Sequence, residues 1–179
     1  MKKVLSVILV CVVVFWAGRI YSINQSSPVT TFYNIGDAVD CGDLELYMVE
    51  SHLDDLDEFN DRFKTDYSYG SDGECKYISI CIDVTNTSDS DIHWDQIFGF
   101  LTKGFESQGW GSEVDINIMS KINVFNDDFL NSGSSQKIWF VTTVNKVCYK
   151  ERSWVNIYDR PFFYVLSPAP HKTVVRLDT

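Results

Sequence analysis

The sequence predicts an all-β fold: an antiparallel β-sandwich with one short helical insertion, preceded by an N-terminal membrane-anchor helix. Three observations predict it. From residue 35 onward, apolar and polar residues alternate with period two in short blocks; clusters of turn-forming residues separate the blocks; and the chain opens on a basic, then apolar, segment. Blocks with one apolar face are what half-buried antiparallel strands require. Seven or eight of them in about 145 residues is the pattern of a sandwich.

The opening segment has Lys2 and Lys3 ahead of an apolar run from Val4 to Ala17, with Arg19 as the next charge. A basic start followed by an apolar stretch is an export or anchoring signal. Val4 to Ala17 spans only about 21 Å as a helix, whereas Val4 to Ile23 spans about 30 Å, the thickness of the hydrocarbon layer. Arg19 would then sit near the interface, where its side chain can reach water. Cleavage wants small residues at −3 and −1, but cutting after Ala17 or Gly18 puts Phe15 or Trp16 at −3. Residues 1–23 are therefore expected to be an uncleaved anchor with the C-terminus outside the cytoplasm. A cleaved signal and a secreted domain is the alternative, and Cys11 in mid-run gives only a faint lipoprotein pattern. Residues 24–34, polar and punctuated by Pro28, read as a tether, and residues 35–179 as one domain.

Leu44, Leu46 and Met48 mark the first long strand, and Ile78, Ile80, Ile82 and Val84 the second. Ile92, Trp94, Phe98 and Phe100 hold one parity through a further block, as do Val114, Ile116 and Ile118. Ile138, Phe140 and Val144 mark another strand; Val155 with Ile157, Phe162 to Leu166, and Val174 to Leu177 complete the set. Turns fall at Asn86–Asp91, Asn131–Ser134 and Asp159–Pro161. Residues 51–66 instead place Leu53, Leu56, Phe59 and Phe63 at helical spacing, with Ser51 as the expected N-cap and acidic residues in the first turn. Residues 104–111, GFESQGWG, read as a hairpin loop.

Three stretches carry a family resemblance: IGDAVDCGDLELYMVES at 35–51, KYISICIDVTNTSDSDIHW at 76–94, and LNSGSSQKIWFVTTV at 130–144. In this order and spacing they resemble the telokin-like domains of unknown function in exported Gram-positive proteins, which are related to the mycobacterial immunoprotective extracellular protein. The resemblance covers roughly residues 35–145 and implies an immunoglobulin-like β-sandwich. Ser132 stands where that pattern has proline, and the helical insertion and the cysteines are additions to it. It implies no active site.

With the three basic residues of the leader set aside, the 15 Lys and Arg fall to 12, against 25 acidic residues, a net of −13 for residues 24–179. Nucleic acid and anionic lipid surfaces demand a basic footprint and are not expected as partners. His52, His93 and His171 are dispersed, and the acidic run Asp54, Asp55, Asp57, Glu58 and Asp61 lacks the loop spacing of a calcium site. No metal and no cofactor are expected. There is no GxSxG elbow, and no catalytic residue is assigned. Five Trp, nine Tyr and twelve Phe exceed what one sheet face takes up, and Phe105, Trp110 and Trp139 are the expected interaction aromatics. The expected function is a non-catalytic extracytoplasmic binding domain, its partner an unidentified protein or cell-wall glycan. Two alternatives stand beside it, an accessory subunit of an envelope complex and, more remotely, a hydrolase.

Cys41, Cys75, Cys81 and Cys148 form an even set that an oxidising compartment would allow to pair. Cys75 and Cys81 on one extended strand lie about 20 Å apart, beyond disulfide reach. Any disulfides are thus expected to take these two cysteines to different partners; a non-reducing peptide map containing a 75–81 linkage contradicts both the pairing and the strand.

Overall fold

A computed structural model describes Phe15, Trp16 and Arg19 together with residues 29–68, 74–168 and 171–179. The expected anchor at 1–23, those three residues apart, and residues 24–28 of the expected tether lie outside the described residues. Among the described residues no helix is long and apolar enough to cross a membrane.

The strands are β1 (Thr30–Asn34), β2 (Ala38–Asp40), β3 (Leu44–Asp54), β4 (Cys75–Asn86), β5 (Ile92–His93), β6 (Phe105–Ser107), β7 (Trp110–Ser112), β8 (Phe129–Leu130), β9 (Ser135–Asn145), β10 (Phe162–Ser167) and β11 (Lys172–Arg176). Helices α1 (Leu56–Phe63), α2 (Trp94–Leu101), α3 (Ile116–Ile122) and α4 (Glu151–Val155) lie between them. The strands form one sheet in the order β1-β11-β10-β6-β7 and a second in the order β2-β3-β4-β9; β5 and β8 make a short ribbon. The two large sheets pack face to face. Leu46, Met48, Ile78, Ile80, Ile82, Val84, Ile138 and Phe140 of the second sheet meet Phe105, Phe162, Tyr164, Leu166 and Val175 of the first in one buried core.

Strand β4 is the middle of the second sheet, antiparallel to β3 on one side and to β9 on the other. Its even-numbered Ile78, Ile80, Ile82 and Val84 enter the core between the sheets. Its odd-numbered Cys75, Tyr77, Ser79 and Cys81 are buried too, because α1 and α3 cover the outer face. Phe59 of α1 stacks on Tyr77 with centroids 4.4 Å apart, and Ile118 of α3 and Val141 of β9 complete a second cluster. In β3 a bulge between Met48 and Glu50 shifts the register against β4 and changes which parity points inward. Leu44, Leu46 and Met48 are buried before it, Ser51 and Leu53 after it.

Four sequence expectations change. The blocks expected as strands around 92–100 and 114–118 are mainly helical: only Ile92–His93 is a strand, followed by α2 at Trp94–Leu101, and α3 occupies Ile116–Ile122. Trp94, Ile97 and Leu101, at helical spacing, are the buried residues of α2, a stripe that the strand parity of Trp94, Phe98 and Phe100 passes over. Asp115 caps α3 by accepting from the backbone of Asn117 and Ile118, leaving Ile116 exposed. Around Val155 and Ile157 the chain forms α4 and a single 3-10 turn, burying Trp154 and Ile157 three apart. The helical insertion begins later than expected. Asp55, not Ser51, is its N-cap, in a reciprocal capping box with Glu58, while Ser51 belongs to β3 and exchanges hydrogen bonds with the Asp178 backbone. Finally, Thr30–Asn34 of the expected tether is strand β1, parallel to β11.

Helix α3 shields the edge of the second sheet. The Asn123 side chain accepts from the Trp139 N–H at 2.8 Å and donates to the Trp139 carbonyl at 2.9 Å, as a neighbouring strand would, and Asp115 N–H donates to the Val141 carbonyl. An edge strand of 11 residues is otherwise a template for uncontrolled pairing. Replacing Asn123 by Ala leaves the Trp139 amide without its partners. The expected loss is about 2–3 kcal/mol, read as a fall in the urea midpoint at unchanged slope; Gln136→Ala, at an exposed site on the same strand, should shift it far less.

Candidate functional site

The three aromatics singled out from sequence do not form one patch. Phe105 is only 2% exposed and packs edge-on against Tyr164 at 5.1 Å. Pairing of β6 with β10 sets it opposite Tyr164, facing inward, so it is a core residue and not an interaction residue. Gly104 makes this possible. Its φ is +118°, and a Cβ there would meet the Ser112 carbonyl oxygen at 2.4 Å. Trp110 is half-buried between Phe162 and Tyr149. Trp139 lies on the outer face of the other sheet, edge-on to Phe63 at 4.9 Å and stacked with His52 at 6.0 Å.

Cys41, Cys75, Cys81 and Cys148 are all free thiols in the structure, so the disulfide expectation is not met. Cys75 and Cys81 occupy the same strand, as expected, and both are buried, Cys75 in the cluster beneath α1 and α3 and Cys81 between Glu50 and Trp139 of the neighbouring strands. Burial, with Glu50 nearby, pushes the Cys81 thiol up to about 11, which leaves almost no thiolate near neutral pH. Three of the five residues of the acidic run are committed to structure. Asp54 pairs with Arg62 through two bonds of 2.8 and 3.0 Å, while Asp55 and Glu58 form the capping box. Among the described residues no three His, Cys, Asp or Glu side chains converge as a metal site.

The surface does have a concave region, at the end of the sandwich where β1 and β11 finish. A cleft of about 360 Å³ is lined by Asn34, Tyr158 to Pro161, and Arg176 to Thr179. A second of about 350 Å³, lined by Gln108, Arg152, Ser153, Asn156 and Asp159 to Pro161, abuts it. Asp159, Arg160 and Pro161 are common to both. The sequence folds this way locally because α4 and the 3-10 turn Ile157–Asp159 are pinned by buried Trp154 and Ile157, and Pro161 then turns the chain into β10.

Arg160 is held in place. Its Nε donates to Ser107 Oγ at 2.8 Å, its Nη2 donates to the Gln108 carbonyl, and its guanidinium lies 5.1 Å from the centroid of the Tyr149 ring. Burial pushes the Tyr149 hydroxyl up to about 12, against the opposing effect of Arg160. Arg152 and Arg176 flank it and are exposed. Lys76 sits over the exposed Tyr158 ring at 5.0 Å. Sequence reading missed these arginines because they come from α4, a loop and β11. The one available signal was three arginines within the last 28 residues of an acidic chain.

A different surface lies on the outer face of the first sheet. Phe32, 61% exposed, meets Phe163 edge-on at 6.0 Å, near half-buried Val165, while Val174 opposite Phe32 is itself buried. No described helix covers this stripe, in contrast to the outer face of the second sheet.

The fold and its loop-end concavity define a β-sandwich protein. Two solved structures are similar to it. One is an uncharacterized β-sandwich protein from Clostridium difficile, 14% identical, with a TM-score of 0.50 over 82% of this chain and 95% of that one. The other is a conserved hypothetical protein from Bacillus anthracis, 11% identical, with a TM-score of 0.50 over 80% of this chain and 89% of that one. At these identities the likeness is one of fold. No family model matches the chain, and neither does any curated protein.

Burial ranks the thiols. A small thiol reagent should label exposed Cys148 first and half-buried Cys41 more slowly, leaving Cys75 and Cys81 unlabelled until urea unfolds the protein. Mass spectrometry of the labelled peptides checks the order; early labelling of Cys75 contradicts the packing of α1 and α3 on β4.

Proposed function

We propose that the chain is a membrane-anchored, extracytoplasmic immunoglobulin-like domain that binds a ligand at the cell surface without catalysing a reaction. The observation that carries the binding reading is the pair of abutting clefts at one end of the sandwich, built on loops and strand ends held by a rigid core. The strand arrangement supports the immunoglobulin-like part. In that fold the sheets contain A-B-E and C-F-G. Here β3-β4-β9 and β6-β10-β11 stand in those orders, with α3 where strand D would run. The inter-sheet disulfide of antibody domains has no counterpart, since β4 and β10 point Ile80, Ile82, Phe162 and Tyr164 at one another. The telokin-like resemblance is compatible with this arrangement, and the apolar stretch from Val4 to Ile23 supports the anchor.

The apolar stripe around Phe32 and Phe163 favours a second reading, an accessory subunit docked through the open face of its first sheet. One experiment separates the two: in-cell cross-linking and affinity capture of the tagged full-length protein from its native membranes. Enrichment of wall polymer or glycan without a stoichiometric protein is the outcome expected of the binding domain. One stoichiometric protein, lost on Phe32→Glu, instead identifies a subunit.

A further inference from the structure

We infer that the two abutting clefts, which share Arg160 and hold Arg176 in one and Arg152 in the other, together bind a chain-like ligand carrying several anionic oxygen groups, phosphate or carboxylate. This rests on the binding-domain reading above and narrows it to a ligand chemistry.

The argument begins with charge. On a chain with 25 acidic and 15 basic residues, the default fate of an arginine is a carboxylate, as Arg62 shows with Asp54. Arg152, Arg160 and Arg176 form no ion pair among the described residues, although Asp159 and Asp178 line the same clefts. Three guanidinium groups from α4, from the loop before β10 and from β11 thus share one concave surface with their charge uncompensated by direct pairing. Guanidinium is the side chain whose planar fork matches phosphate and carboxylate oxygens.

Pre-organisation follows from the contacts of Arg160. A guanidinium has five N–H donors, and Arg160 commits two of them, to Ser107 and Gln108, while Tyr149 supports its plane. The remaining donors are oriented before any ligand arrives, so less side-chain entropy is lost on binding. Arg152 and Arg176 stand on either side and are free to reach additional groups.

The two carboxylates set the ligand's shape. Asp159 belongs to both clefts and Asp178 to one, so a compact single anion would meet repulsion along with attraction. A ligand whose charges are spaced along a chain can meet each arginine separately and pass the carboxylates between its charged groups. Multivalency then compensates for weak individual sites. Tyr158, 45% exposed with Lys76 over its ring, extends the surface at one margin.

The test uses the full-length protein in neutral-lipid nanodiscs. It is titrated by calorimetry with a glycerol-phosphate oligomer, an oligogalacturonate of equal charge, neutral dextran and inorganic phosphate. Expected are salt-sensitive binding of at least one oligomer, binding of inorganic phosphate at least tenfold weaker, and no binding of dextran. Arg152→Gln with Arg176→Gln should weaken the oligomer at least tenfold. Both residues are exposed and their side chains make no hydrogen bond among the described residues, so the variant is expected to fold, which thermal unfolding checks. Lys103→Gln with Lys137→Gln, the same charge change elsewhere, should alter affinity less than twofold. Binding of the phosphate oligomer alone, or of the carboxylate oligomer alone, assigns the group. Failure of both oligomers, inorganic phosphate binding as tightly as they do, or equal weakening by the two double variants overturns the inference. If wild-type protein then still retains purified wall fragments, only the arginine site falls; if it does not, the binding-domain reading falls with it.

Discussion

Burial of β4 on both faces is the constraint from which the rest of the molecule follows. A strand with Ile78, Ile80, Ile82 and Val84 on one side and Cys75, Tyr77, Ser79 and Cys81 on the other exposes no face to water, so each side needs its own cover. The first sheet supplies one. The other comes from α1, through Phe59 on Tyr77, and from α3, through Ile118. Those helices are inserted where the chain leaves β3 and β7, so the connections themselves become the second layer. The same need explains the free thiols. In this interior, cysteines serve as small apolar residues.

The crossings between the sheets follow from the same centre. β4 and β9 are neighbours in the second sheet, and the first-sheet strands that the chain reaches next after each, β6 and β10, are neighbours in the first. This interlocking pair holds the sheets in register, and Tyr164 adds a buried hydroxyl that donates to the Leu101 carbonyl at the end of α2. The clefts lie just beyond this frame. Arg160, separated from the start of β10 by Pro161, is tied to Ser107 and Gln108 at the end of β6, so the inter-sheet core positions the charged surface.

The strands with one clean parity were legible from sequence: β3, β4, β9, β10 and β11, with the Asn86 and Asn131–Ser134 turns between them. The failures share a cause. WDQIFGFL and VDINIM satisfy period two and helical spacing at once, and in such short segments the capping side chains His93 and Asp115 decide between them. β1 was hidden because Thr-Thr-Phe-Tyr-Asn looks polar, and its pairing partner lies near the far end of the chain. The bulge in β3 hid the last part of that strand by changing its parity, which made Ser51 look like a helix cap. For the site, an aromatic in a glycine-rich hairpin looked exposed, while the pairing of β6 turns Phe105 inward. The arginines carried no local pattern at all, and their convergence is a property of the fold.

The parallel pairing of β1 with β11 has a mechanical consequence. The chain enters the sandwich at the start of β1, and the arginine cleft lies at the other end, where β1 and β11 finish at Asn34 and Arg176. Tension between the entry point and anything held in the cleft runs along these strands and slides one past the other. Their hydrogen bonds then bear load together, rather than opening one after another as a peeled edge would. A pull between these two ends would load the sandwich lengthwise.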